Sequence, residues 1–100
     1  MGKEDIINVL KKEYPYLHRT YGVKRIALFG SFASGTANDG SDVDLVIDFD
    51  RPLGFRFFEL SDYLEKVLGR KVDVLTPDAL KGIRIKSVMQ GIQGNMLYVG

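Results

Sequence analysis

The sequence has 100 residues, of which 45% are hydrophobic and 27% are charged, and its formal net charge is +1. This balance is typical of a folded globular domain and excludes a fibrous or intrinsically disordered chain. We therefore expect residues 1–100 to form a single domain around one hydrophobic core.

The near-neutral charge and the residue types also limit the partners of the chain. A net charge of +1 provides no general attraction for nucleic acid or for an anionic membrane surface. Because no apolar run approaches the roughly 20 residues that span a bilayer, we expect no membrane association. The sequence contains no cysteine, which excludes disulfides and thiolate metal sites and suits the cytoplasm, where we expect the protein to act.

The first third of the chain predicts a helical region followed by a buried strand. Apolar residues recur at helical spacing over residues 6–17, but Pro15 interrupts the pattern and predicts a helical hairpin or a kinked helix that stops near Gly22. The continuous apolar run 26–29 then predicts a central strand that is covered on both faces and ends at Gly30.

The next strand is predicted to have one apolar face and one acidic face. Residues 31–41 are small and polar, which indicates a short helical turn and a loop before it. Apolar and polar residues then alternate strictly, and alternate side chains of a strand project to opposite faces. The predicted faces are Val43, Leu45, Ile47 and Phe49 on one side and Asp42, Asp44, Val46 and Asp48 on the other.

The rest of the chain predicts a further helix, a strand, a helix and a last strand. An apolar stripe at helical spacing lies between Pro52 and Gly69, and Gly69 stands where a left-handed helix cap belongs. Alternation over residues 71–75 places Asp73 on a polar strand face, and a helix is predicted to begin at Thr76. This order predicts an α+β (mixed α/β) fold, a small mixed sheet flanked by helices.

The catalytic chemistry is expected where Gly30 and Ser31 are followed, after ten intervening residues, by Asp42 and Asp44. A glycine and a serine at the start of a short helix expose backbone N–H groups and a hydroxyl that can bind phosphate oxygens. Two aspartates at positions i and i+2 of a strand project from the same face, where they can share hard cations. Asp73, on a neighbouring strand with similar alternation, is expected to complete the cluster.

Electrostatics favours a metal at such a cluster. Two carboxylates about 4 Å apart repel by roughly 4 kcal/mol at an effective dielectric constant of about 20, so a cation or a proton must relieve them. Mg²⁺ prefers oxygen ligands, and two such ions can hold the attacking and leaving oxygens of a phosphoryl displacement. We therefore expect Asp42, Asp44 and Asp73 to bind Mg²⁺ as two ions. The alternative is that these residues are solvated carboxylates after a polar loop.

The stretch FGSFASGTANDGSDVDLVIDF resembles the nucleotide-binding signature of the DNA polymerase β type nucleotidyltransferases. Within that superfamily, the short length and the course of residues 24–77 resemble the minimal nucleotidyltransferase (MNT) domains. These domains are often encoded as the antitoxin partner of a HEPN-domain ribonuclease toxin. The resemblance covers most of the chain, and it implies a polymerase β palm-like fold.

The resemblance also implies roles for the five site residues. Gly30 and Ser31 would contact the triphosphate of ATP, and Asp42 and Asp44 would bind both metal ions. Asp73 would bind one metal ion and help to deprotonate the acceptor hydroxyl. The implied acceptor is a tyrosine hydroxyl on the partner HEPN toxin, which would be adenylylated and thereby silenced.

Two other functions stay open at this point. The domain could neutralise its partner by binding alone, with an idle site, or it could modify a small hydroxylated molecule such as an aminoglycoside. The sequence also leaves open whether Arg84 or Lys86, on the helix after Pro77, contacts the triphosphate. Asp48 and Asp50 are expected to be surface residues, and His18 is expected to lie away from the site.

Overall fold

The computed structural model describes residues 2–35, 37–38, 40–77 and 97–99, and these contain three helices and four strands. In chain order they are α1 (Lys3–Tyr21), β1 (Val23–Phe29), α2 (Gly30–Ser34), β2 (Val43–Phe49), α3 (Arg56–Leu68), β3 (Val72–Leu75) and β4 (Leu97–Tyr98). The last strand was predicted, whereas the helix expected from Thr76 lies, beyond Pro77, outside the described residues.

The four strands form one mixed sheet in the order β3-β2-β1-β4. Strand β1 pairs antiparallel with both β2 and β4, and β2 pairs parallel with β3. A parallel neighbour requires a crossover connection, and α3 supplies it between β2 and β3. The predicted α+β architecture is confirmed.

The two faces of the sheet bury two separate hydrophobic clusters. The larger cluster joins apolar residues of α1 and α3 to one face of the sheet, and the apolar side of β2 belongs to it, as the alternation predicted. On the opposite face Ala27, Phe29 and Val46 are buried and pack with Leu75. Strand β1 is therefore apolar on both faces, which explains its continuous apolar run.

Helix α1 is continuous through Pro15, so the helical hairpin is a wrong prediction. Leu10 and Leu17 lie on either side of the proline and are both fully buried in the larger cluster, and this packing holds the two halves in one helix. Pro15 is exposed, so the carbonyl that it leaves unbonded can be hydrated. The predicted end is confirmed, because Gly22 caps the helix in the left-handed conformation with a φ of 72°.

Helix α3 also ends as the sequence predicted. Gly69 adopts a φ of 67°, and its N–H donates to the carbonyl of Glu65 at 2.8 Å. The helix buries Leu60, Leu64 and Leu68, which are spaced four residues apart and face the sheet. Within the described residues, no helix has the length and apolar character needed to cross a membrane.

Candidate active site

The parallel pairing of β2 and β3 brings two acidic residues side by side. Asp44 and Asp73 are partners in this pairing, so their side chains project from the same face of the sheet. The N–H of Val43 donates to the carbonyl of Lys71 at 2.9 Å, which extends the ladder by one bond towards Asp42. Asp73 is exposed, and Asp42 and Asp44 are half-buried.

The carboxylates of this face repel one another. Burial raises the pKa of Asp44, and the negative charges of Asp73 and Asp42 raise this pKa further. The Asp73 side chain is also close enough to share a hydrogen bond with Asp44, which adds to the increase in pKa. The three predicted aspartates are thus coupled, with Asp44 at the centre.

Gly30 lies directly against this acidic cluster. The preceding residue, Phe29, is the partner of Asp44 in the antiparallel pairing of β1 with β2. A Cβ added to Gly30 would overlap Oδ2 of Asp44, and Gly30 has a φ of 74°, which disfavours any other residue. Helix α2 begins at this glycine, and the half-buried Ser31 follows it. The glycine and serine turn and the acidic strand are therefore in contact.

The turn before Asp42 is held by reciprocal hydrogen bonds. The N–H of Ser41 donates to the carbonyl of Asn38 at 3.0 Å, and the N–H of Asn38 donates to the hydroxyl of Ser41 at 2.9 Å. The side-chain oxygen of Asn38 also accepts the N–H of Gly40 at 2.9 Å. The hydrogen bonds of Asn38 therefore stay within its own turn, and this turn fixes the start of β2.

Among the described residues, no group of three or more acidic, histidine or cysteine side chains is arranged so that it could hold a metal ion. The geometry alone therefore does not show the expected Mg²⁺ site. The donor chemistry fits Mg²⁺, because the three coupled groups are all carboxylates. Burial and the neighbouring charges of Asp73 and Asp42 raise the pKa of Asp44, and a bound cation would favour its ionised form.

Other polar candidates lie elsewhere or have other contacts. His18 bonds the carbonyl of Val23 through Nδ1 at 2.8 Å and stacks on Tyr14, with ring centroids 5.9 Å apart. Asp50 is exposed and lies 3.6 Å from the guanidinium of Arg51. Asp48 is half-buried on β2, farther along the strand than Asp44. Two further candidates, Arg84 and Lys86, lie outside the described residues.

Sequence reasoning missed one residue at this site, Arg70. Its guanidinium lies over the ring of Phe32, 5.2 Å from the centroid, and donates to the carbonyl of Ser41 at 3.4 Å. It also lines a cavity of about 480 Å³ beside Asp42. The only sequence signal was a basic residue just before the strand that carries Asp73, and such residues are common on surfaces.

A mixed sheet with a glycine and serine turn beside carboxylates from two neighbouring strands has the architecture of a nucleotidyl-transfer enzyme. Residues 3–93 match the family model described as nucleotidyltransferase domain. The chain belongs to this nucleotidyltransferase family, and it is accordingly a nucleotidyltransferase.

Two relatives match nearly the whole chain. A Methanocaldococcus jannaschii protein, provisionally named a protein adenylyltransferase, is 40% identical over 98 residues, which cover 95% of each chain. The protein adenylyltransferase MntA of Thermococcus cleftensis is 39% identical over 90 residues, which cover 89% of this chain and 88% of MntA.

Solved structures share the fold at lower identity. A toxin-antitoxin crystal structure with AMP-PNP contains a chain that is 22% identical, with a TM-score of 0.65, and the match covers 100% of this chain and 73% of that chain. The complex of a tri-AMPylated Shewanella oneidensis HEPN toxin with its MNT antitoxin contains a chain that is 18% identical, with a TM-score of 0.60. This second match covers 94% of this chain and 71% of that chain. These similarities establish the minimal nucleotidyltransferase fold.

Proposed function

We propose that this chain is a Mg²⁺-dependent protein adenylyltransferase that acts as a cytoplasmic antitoxin. Its donor is ATP, and its acceptor is a tyrosine hydroxyl on a HEPN-domain toxin. Support comes from the name of the Thermococcus cleftensis relative and from the AMPylated HEPN toxin in the Shewanella oneidensis complex. The toxin-antitoxin structure with AMP-PNP supports a nucleoside triphosphate as the donor.

The pairing of Asp44 with Asp73 beside Gly30 carries this proposal. Two strands that are separate in sequence place carboxylates on one face, and the first turn of α2 packs against them. Phosphoryl transfer depends mainly on positioning and on electrostatic stabilisation, which this arrangement can provide. A binding module without catalysis would have no need for repelling carboxylates at this place.

Each site residue has a role in the proposed reaction. Gly30 and Ser31 bind the triphosphate through the backbone and hydroxyl groups at the start of α2. Asp42, Asp44 and Asp73 would hold Mg²⁺. When bound, this metal would neutralise the carboxylates and the charge on the phosphates. Asp73 also accepts the proton of the acceptor hydroxyl, and its exposure leaves it open to an incoming acceptor.

The reaction exchanges one phosphorus–oxygen bond for another. The acceptor oxygen forms a bond to the α-phosphorus of ATP, and the bond between that phosphorus and the oxygen bridging to the β-phosphorus breaks. The hydroxyl proton passes to Asp73, and pyrophosphate leaves. The product is a toxin that carries AMP on its tyrosine.

The proposal is tested by labelling a purified HEPN-domain toxin. The protein is incubated with ATP labelled at the α-phosphate, Mg²⁺ and the purified toxin. We expect label on the toxin, at least a 100-fold loss of label in Asp42→Asn and Asp44→Asn, and no label when the acceptor tyrosine is phenylalanine. Asp48→Asn is the control, because Asp48 lies on the same strand but away from the pair.

Two outcomes would contradict the proposal and identify an alternative. A toxin that is inhibited but unlabelled, equally by the wild type and by Asp44→Asn, would show an antitoxin that acts by binding alone. Label on an aminoglycoside, and none on the toxin, would show a small-molecule transferase.

A further inference from the structure

Arg70 lies in the short connection between α3 and β3, and its side chain contacts two other segments of the candidate active site. The guanidinium of Arg70 lies 5.2 Å from the ring centroid of Phe32, which is in α2 directly after Ser31. The same guanidinium donates a hydrogen bond of 3.4 Å to the carbonyl of Ser41, the residue before Asp42. One side chain therefore joins the glycine and serine turn to the start of the acidic strand.

The backbone that carries Arg70 is held on both sides. The backbone carbonyl of Glu65 accepts a hydrogen bond from the N–H of Gly69 at 2.8 Å. The carboxylate of Glu65 accepts another from the N–H of Val72 at 3.2 Å. Glu65 thus fixes the end of α3 and the first residue of β3. Because Asp73 follows Val72, the connection that holds Arg70 also sets the position of the third carboxylate.

The chemistry of arginine suits this double contact. A planar guanidinium can stack on an aromatic ring while its N–H groups donate hydrogen bonds within its own plane, which a lysine ammonium cannot reproduce. Phe32 is only 2% exposed and Arg70 is half-buried, so the interaction is partly removed from water and correspondingly stronger. Ser41 is itself hydrogen-bonded to Asn38 in both directions, so Arg70 contacts a hydrogen-bonded turn.

We propose that Arg70 is a positioning residue, which holds α2 and the start of β2 in a fixed relation to β3. Its action sets the distance between the triphosphate-binding turn and the carboxylates. This inference rests on the proposed function, because it takes adenylyl transfer as the activity whose rate depends on Arg70. Misplacement of reacting groups by about 1 Å can lower a rate by about 100-fold.

The experiment compares Arg70→Ala with Lys66→Ala. Lys66 is an exposed cation in the last turn of α3, so its loss changes the net charge equally without touching the site. We expect Arg70→Ala to lower kcat at least about ten-fold, with the KM for ATP changed by less than about three-fold. We expect Lys66→Ala to match the wild type. Arg70→Lys, which keeps the charge, is expected to recover only part of kcat.

A double-mutant cycle tests the route through Phe32. Phe32→Leu keeps an apolar side chain but removes the ring, and we expect it to lower kcat in the same direction as Arg70→Ala. The double variant should lose less than the product of the two single losses, because both remove one contact. Multiplicative losses, or a kcat for Arg70→Ala equal to that of Lys66→Ala, would overturn the inference. A raised KM for ATP at unchanged kcat would also overturn it, because it would indicate direct contact with the nucleotide.

A second measurement does not depend on activity. Amide chemical shifts of Ser31 and Asp42 are recorded by NMR without nucleotide, in the wild type, Arg70→Ala and Lys66→Ala. We expect both shifts to move in Arg70→Ala alone, whereas unchanged shifts would refute a positioning role. If the wild type labels no acceptor while Arg70→Ala still moves both shifts, the proposed function is refuted and the positioning role of Arg70 stands.

Discussion

The carboxylate of Asp44 packs directly against the α-carbon of Gly30, so closely that a Cβ at position 30 would overlap Oδ2 of Asp44. Phe29, the last residue of β1, pairs with Asp44 of the antiparallel strand β2, and Gly30 follows it as the first residue of α2. The small residue of the turn and the acidic residue of the strand therefore form one packing unit, and neither can change without the other.

Gly30→Ala is expected to impair both stability and activity. The new methyl group would displace the carboxylate of Asp44, and the φ of 74° adds conformational strain of about 1–2 kcal/mol. Thermal unfolding should show a lower melting temperature, and AMP transfer should fall at least about 100-fold.

Gly35→Ala is the matched control for that substitution. Gly35 ends the same short helix with a φ of 80°, but a Cβ there meets nothing within 4 Å. It should lose similar stability through strain and retain most of its activity. If both variants lose activity equally, the contact between Gly30 and Asp44 has no specific role.

Asp44→Asn is expected to stabilise the metal-free protein while abolishing transfer. The amide removes the charge that burial and the two neighbouring aspartates disfavour. A gain of a few degrees in melting temperature at neutral pH is expected, which corresponds to about 1 kcal/mol in a domain of this size. Added Mg²⁺ should raise the melting temperature of the wild type and not that of the variant.

The pH dependence of this gain follows from the raised pKa of Asp44. A carboxyl whose pKa is higher in the folded protein contributes stability that is fully present below its pKa in the unfolded chain, about 3.9. This stability is lost as the pH rises through the pKa of the folded state. The difference in melting temperature between Asp44→Asn and the wild type should therefore be small in acid and grow towards neutral pH. A constant difference would contradict the coupling among the carboxylates.

Tyr63→Phe tests a contact between α1 and α3. The Tyr63 hydroxyl donates to the carboxylate of Glu13 at 2.6 Å, and this bond, with smaller effects of burial and charge, raises the pKa of Tyr63 to about 12. Removing the hydroxyl should cost about 1 kcal/mol of stability near pH 7. Tyr98→Phe, at a side chain that is 65% exposed, should cost little.

The cost of Tyr63→Phe should also depend on pH in alkaline solution. Because the pKa is raised in the folded protein, the stability from this hydroxyl is complete below pH 10 and is lost as the pH rises through about 12. Urea unfolding at several pH values should show the two proteins converging above pH 10. A difference that widens with pH would contradict the hydrogen bond as the cause.

Pro15→Ala should stabilise the protein without changing transfer. Pro15 is exposed inside α1 and supplies no N–H to the helix, so alanine restores one hydrogen bond. Alanine also makes the unfolded chain more flexible, so the net gain should be about 1–2 kcal/mol in chemical unfolding. Pro52→Ala, in an exposed loop, should show no gain, and a loss of stability in Pro15→Ala would indicate that the helix needs the proline.

Local alternation made much of the acidic face predictable. The strict period of two over residues 42–49 assigns the side chains to faces without knowledge of the rest of the fold, and the structure confirms this assignment for the buried residues. Gly22 and Gly69 were predictable as helix caps for a similar reason, because a left-handed cap depends on a few neighbouring residues.

The position of Asp73 opposite Asp44 depends on the pairing register, which local patterns do not specify. Alternation indicated only that Asp73 lies on a polar face, while the crossover through α3 determines which strand it joins. Arg70 was missed for the same reason, since its contacts are with α2 and with Ser41, 29 residues away. The sequence also suggested a break at Pro15 that tertiary packing overrides.

The strand that carries Asp73 lies at the outer rim of the sheet, and its acidic side chain is exposed. Among the described residues, no pocket encloses Asp73, so a surface as broad as that of another folded protein can approach this rim. Under the proposed function, selectivity for the acceptor would then come from how the two protein surfaces fit together.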